Sequence, residues 1–164
     1  MENIKPKLDA AAEKIPGYLL WQVSKLWQRQ LNAALVDLNL SSTQAVILIN
    51  VPRLNNEQKT VTQMLLSEVT KVDRMTVSQA IRTLERKGLI NRVAAPTNRR
   101  AYHVKLTETG SNVAAQAIQR IIGAHEAFFK PLAGNTETYV ALTQQLIKAN
   151  NITEDFNEPS NKGN

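Results

Sequence analysis

The feature that most restricts the fold is a change of apolar period at Gly88. Before it, two short segments place apolar residues at steps of three and four: Leu65, Leu66 and Val69 within Thr62 to Thr70, and Val77, Ala80, Ile81 and Leu84 within Arg74 to Lys87. That period predicts two amphipathic helices joined through Lys71-Val72-Asp73, with Thr62 able to cap the first. Gly88 then stands where a helix commonly needs a left-handed terminal residue. After it the period drops to two: Leu89 to Val93 and Ala101 to Leu106 alternate as strands. Between them, Ala94 to Arg100 carries Pro and Asn as turn formers. A helix, a tight turn, a helix and an immediate hairpin make a helix-turn-helix with a wing.

The flanks are helical. Residues 1–16 form a polar N-terminal arm, and Pro16-Gly17 marks its boundary. Leu19, Val23, Leu26, Trp27, Leu31, Ala34, Leu35 and Leu38 predict an amphipathic helix to about Asn39. Ser41-Ser42-Thr43 offers caps for a second helix through Ala45, Val46, Leu48 and Ile49, which Pro52 should end, leaving 53–60 as a loop. Beyond the hairpin, Thr107 caps a long helix with Ala114, Ile118, Ile121, His125, Phe128 and Leu132 on one stripe. PLAGN at 131–135 interrupts it, and Tyr139, Leu142, Leu146 and Ile147 continue a last helix to about Asn150. The polar tail 151–164 is expected to be flexible. The expected fold is mainly α with a small β-hairpin wing, with a winged core at about 41–110 and terminal helices at about 17–39 and 110–150.

Charge is concentrated on the winged segment. Between Lys71 and Lys105 nine cations face two anions, Asp73 and Glu85, leaving +7, whereas the other 129 residues net −1. Six of the nine are arginines, whose planar forks suit phosphates and base edges, so the segment reads as a surface for a polyanion rather than an ordinary solvated face. On the second helix, Met75, Ser78, Gln79, Arg82 and Arg86 lie opposite the apolar stripe, in the manner of a helix that enters a major groove. Arg99 and Arg100 near the hairpin tip suit a narrow minor groove.

Other chemistry lacks its parts. With no cysteine, there is no disulfide, thiol switch, cysteine nucleophile or thiolate zinc site. His103 and His125, 22 positions apart, make a poor metal site, and neither a Gly-rich phosphate loop nor a Ser/His/Asp spacing is found. No enzyme activity, cofactor or metal is expected. The longest apolar runs fall far short of the ~20 residues of a membrane span, and MENIKPKLDAAAEK lacks a secretory apolar stretch, so a cytoplasmic chain is expected.

Two linked blocks carry a family resemblance. VTQMLLSEVTKVDRMTVSQAIRTLERKGLI, Val61 to Ile90, and NRRAYHVKLTETG, Asn98 to Gly110, resemble the MarR family of winged helix-turn-helix transcriptional regulators, and the likeness extends over about residues 14–150. Arg100, Leu106, Thr107 and Gly110 fit the family's wing pattern, while Asn98 takes its aspartate position and Lys71 the place of a frequent glycine. The resemblance implies a homodimer with interlocking terminal helices, usually a repressor, on a near-palindromic double-stranded DNA operator. The sequence independently favours a dimer, since Trp21, Trp27, Ile121, Ile122, Phe128 and Phe129 exceed what one stripe would bury.

By the same resemblance Ser78, Gln79 and Arg82 read bases, Arg74, Thr76, Arg86 and Thr62 meet phosphate, and Arg100 with its neighbour Arg99 enters the minor groove. Arg92 and Lys105 are left to steer or touch the backbone; ion pairs to Glu85 or Asp73 are the competing role for Arg74 and Arg86. A small aromatic or phenolic effector is implied too, with Tyr18, Trp21, Trp27 and His125 as pocket candidates, although ordinary packing is the role their positions favour. His125 is expected as a hydrogen-bonded core histidine. The competing function is a winged-helix module that binds only protein, which would have no reason to carry the +7 segment.

Overall fold

The computed structural model describes residues 14–57, 60–95 and 98–150, the side chains of 95 and 98–101 excepted. Most of the arm at 1–16 and all of the tail at 151–164 lie outside those residues. The chain divides into two units, Met1–Phe128 and Phe129–Asn164.

In the first unit, α1 (Pro16–Ala34) begins on a proline, whose fixed φ and missing amide suit a first helical position. The helix stops five residues before the expected Asn39. A 3-10 turn, Val36–Leu38, follows, and Asn39 exits it in the left-handed region at φ 52°. Ser41 then opens α2 (Ser42–Asn56) with a reciprocal cap: its hydroxyl accepts from the Gln44 amide, and the Gln44 side chain accepts from the Ser41 amide.

Pro52 does not end α2. The helix continues through it to Asn56, replacing half of the expected loop. Proline costs the Leu48 carbonyl its helical partner, but Val51 and Leu54 on either side are fully buried, and unwinding would expose both. Arg53 adds to the last turn by donating to Asn50 at 2.9 Å and pairing with Glu57 at 3.3 Å.

The short helices follow the sequence reading closely. In α3 (Gln63–Thr70) the Thr62 hydroxyl accepts from the Leu65 amide at 3.1 Å. Lys71 turns the chain at φ 56°, a left-handed conformation that glycine adopts most readily. In α4 (Arg74–Arg86) the Asp73 carboxylate caps the Thr76 amide at 2.9 Å, and Val77, Ala80, Ile81 and Leu84 are buried. Gly88, at φ 68°, ends it.

The hairpin pairs β1 (Ile90–Ala95) with β2 (Asn98–Leu106) in antiparallel register, Arg92 opposite Val104 and Ala94 opposite Tyr102. Its strands run further toward the tip than the alternation suggested, taking in all but two residues of the expected turn. The next pair is Ala95 with Asn98, so 99–101 have no partner on β1 and form an irregularity. Arg99 and Arg100 therefore start β2 rather than sit in a loop. Val61 and Thr62 add a short bridge to β2, with the Val104 amide donating to the Val61 carbonyl at 2.8 Å.

The hairpin root meets α5 (Glu108–Phe129) through Thr107. Its hydroxyl donates to the Gly88 carbonyl at 2.7 Å and accepts from the Gly110 amide at 2.9 Å; its own amide donates to the Leu89 carbonyl at 3.1 Å. A Cβ at Gly110 would lie 1.8 Å from that same Leu89 oxygen, which explains why the Leu-Thr-x-x-Gly run needs glycine. The core runs from Leu35 and Leu48 through Leu66 and Leu84 to Ile90, Val104 and Ala117. In the second unit, a 3-10 turn (Lys130–Leu132) leads to α6 (Thr136–Asn150), which has no buried residue; Phe129 packs on Tyr139 at 5.5 Å between ring centres.

Candidate nucleic-acid interface

The interface is organised by α4. Its buried stripe holds it against the core, so Arg74, Met75, Gln79, Arg82 and Arg86 remain exposed, with Ser78 half-buried among them. Its first turn is fixed from two sides. Asp73 caps it, and the Gln63 side chain donates to the Arg74 carbonyl at 3.1 Å, setting the start of α3 beside the start of α4. The Thr76 hydroxyl and amide beside Asp73 hold its carboxyl below the ordinary value of 3.8. Thr76 is thereby engaged by the cap through its amide, and the Thr62 hydroxyl is itself engaged as a cap.

The two acidic groups of the basic segment are both used locally, which leaves cations outward. Glu85 does not pair within its helix. It crosses to Arg92 on β1 at 2.6 Å, and Arg92 lies over the Tyr102 ring at 5.4 Å. The Arg92 guanidinium holds the Glu85 carboxyl below its ordinary 4.5, and Glu85 raises Arg92 in return. Arg92 thus ties the hairpin to α4, a role that its place among the cations did not reveal. Lys87 is also committed: its ammonium donates to the Asn39 carbonyl and to Gln44 Oε1 at the junction of α1 and α2. Arg74 and Arg82 carry no ion pair among the described residues, and Arg86 donates only to the Thr83 hydroxyl at 3.2 Å. The side chains of Arg99 and Arg100 lie outside the described residues.

A cavity of about 300 Å³ opens between α3, α4 and the hairpin, lined by residues that include Gln63, Arg74, Arg92 and Tyr102. The proposed effector residues are elsewhere and form two groups. Tyr18 stacks on Trp21 at 6.0 Å near the start of α1, whereas Trp27 meets His125 edge-on at 6.2 Å and Phe128 at 5.2 Å. His125 is exposed, contrary to its expected place in the core, because Ala114, Ala117 and Ala124 form the buried face of α5. His103 is half-buried on β2 opposite Val93.

Residues 40–110 match the family described as the winged helix DNA-binding domain. The chain is 35% identical over 133 residues to the HTH-type transcriptional regulator YdcH of Bacillus subtilis, spanning 81% of this chain and 90% of the relative. A solved structure of a mutant MarR from E. coli complexed with operator DNA superposes with a TM-score of 0.68 at 27% identity, covering 84% of this chain and 94% of the other. CouR from Rhodococcus jostii, solved with p-coumaroyl-CoA bound, superposes equally well, with a TM-score of 0.68 at 25% identity, over 84% of this chain and 92% of the other.

Proposed function

The chain belongs to the MarR family of winged helix-turn-helix DNA-binding transcriptional regulators, and from that premise we propose that it acts in the cytoplasm as a homodimeric repressor of a near-palindromic operator. The observation that carries this reading is the outward face of α4, where Arg74 and Arg82 have no ion pair among the described residues while the nearby acids are taken up by Thr76 and Arg92. In this reading Ser78, Gln79 and Arg82 contact base edges. Arg74, Arg86, Thr62 and Thr76 lie along phosphates, and Arg99 and Arg100 reach the minor groove. The reading involves no catalytic step.

Dimerisation is supported by apolar side chains that the protomer leaves in solvent: Leu19, Leu20 and Trp21 on α1, Ile118 and Ile122 on α5, Leu142 and Leu146 on α6. Obligate dimers cover such surfaces over ~2,000–5,000 Å². A two-fold partner sets the recognition helices about one turn of DNA apart, ~34 Å, and imposes symmetry on the site. The effector is a small aromatic or phenolic compound, bound between the dimerisation helices and the winged domain near Tyr18, Trp21, Trp27 and His125. The CouR complex with an aromatic thioester supports the ligand class.

Selection from a random duplex pool tests the reading. Enrichment of a near-palindrome whose half-sites lie about one helical turn apart, and whose affinity falls steeply with salt, is the expected result. Asymmetric single sites, or binding indifferent to sequence, would overturn it. Release of that duplex by phenolic acids tests the effector.

A further inference from the structure

Resting on the DNA-binding reading above, we propose that Met75 is a specificity-determining residue that recognises the C5 methyl group of a thymine in each operator half-site. Met75 is 73% exposed, the most exposed large apolar side chain described in the protein. It is the second residue of α4, on the turn that the Asp73 cap and the Gln63 hydrogen bond hold in place. Ser78, Gln79 and Arg82 follow it at three, four and seven positions, so it continues their stripe toward the N-terminal end of the helix. Recognition helices present their N-terminal residues to base edges.

An apolar side chain at such a position has few partners in a major groove. Hydrogen-bonding groups line the base edges there, and the thymine methyl is the apolar feature among them. Methionine suits that target, being unbranched, polarizable and able to adjust to a small protruding group. Its exposure costs the free protein little that a buried contact with DNA would not recover. Ser78 and Gln79, one turn further on, and Arg82, two turns on, then read the neighbouring polar edges, so that each half-site combines one apolar and three polar determinants.

Deoxyuridine, which lacks only the C5 methyl, provides the test. Each thymine of the selected operator is replaced in turn by deoxyuridine, and dissociation constants are measured for the wild type, Met75→Ala and Met64→Ala, the last being the other exposed methionine among the described residues. The expected result is one thymine per half-site whose replacement weakens wild-type binding about fourfold, the scale of one methyl group withdrawn from water. Met75→Ala binds the unmodified operator more weakly by at least as much and is indifferent to that replacement. Met64→Ala keeps the sensitivity, and both variants keep the wild-type salt slope and circular dichroism. If no position discriminates wild type from Met75→Ala, the assignment is wrong while the DNA-binding reading stands. If no sequence is enriched in the first place, both fall.

Discussion

The winged core and the flanking helices use the same amphipathic grammar with opposite results. In the core, side chains from Leu35 to Ala117 bury one another, and every described buried polar side-chain atom has a partner. Along α1 only Leu31 is buried and along α6 nothing is, although both carry apolar residues at helical spacing; Trp21 remains 57% exposed and Leu146 59%. A stripe tells that a helix face seeks apolar cover. It does not tell whether the cover comes from the same chain. The charges divide in the same way, since Glu85, Arg92 and Lys87 are satisfied internally whereas Arg74 and Arg82 face outward.

The largest effects should separate the two regions outright. Gly110→Ala drives a methyl group into the Leu89 carbonyl and should cost the core roughly 3 kcal/mol or more in urea unfolding. Leu146→Asp should leave the secondary structure of the core intact but shift sedimentation toward monomer. Losing the second recognition helix should then weaken operator binding about 100-fold or more. If Leu146→Asp remained dimeric with unchanged affinity, α6 would have to be removed from the side of the comparison that needs a partner.

A smaller effect distinguishes the two kinds of cation. Arg82→Ala should weaken operator binding and reduce the slope of log affinity against log salt by about one if it meets phosphate, or leave the slope while relaxing base preference if it meets a base. Lys87→Met should weaken binding several-fold with the slope unchanged, because its ammonium is spent on Asn39 and Gln44 rather than on DNA. A slope lowered by Lys87→Met would return that residue to the interface.

The smallest expected effect is on acid stability. The native Glu85 carboxyl titrates below its ordinary 4.5 because of Arg92. Its contribution is therefore fully present above the unfolded value and is lost as pH falls through the lower native one. Glu85→Gln should flatten the dependence of unfolding midpoint on pH in that acidic window and leave it unchanged near neutrality. An identical acid profile in wild type and variant would show that the ion pair, both partners of which are partly exposed, contributes nothing measurable.

Much of the fold was legible because its signals are local. The Thr62 cap, Gly88 and the switch of period mark helix ends and strand starts without reference to the rest of the chain. What escaped the sequence depends on distant residues. Pro52 stays helical because of core burial around it, and Arg92 and Lys87 find partners seven and more than forty positions away. The interface was legible as a basic face, but which cations remain outward was not, since net charge does not tell which ions are paired. Met75 was visible on that face, but its degree of exposure, which its position alone does not fix, is a property of the fold. The four aromatic and imidazole residues were grouped as one set of pocket candidates, yet ring contacts sort them into separate groups.

The Leu89 carbonyl, held by the Thr107 amide and crowded by Gly110, leaves the root of the hairpin no swivel. The hairpin and α5 are thereby coupled at one fulcrum, with no flexible linker between them. With a blade about 20 Å long at ~3.4 Å per residue, a tilt of roughly 10° at the fulcrum would carry the tip ~3–4 Å. A shift of α5 would then reach the far end of the hairpin without an intervening joint.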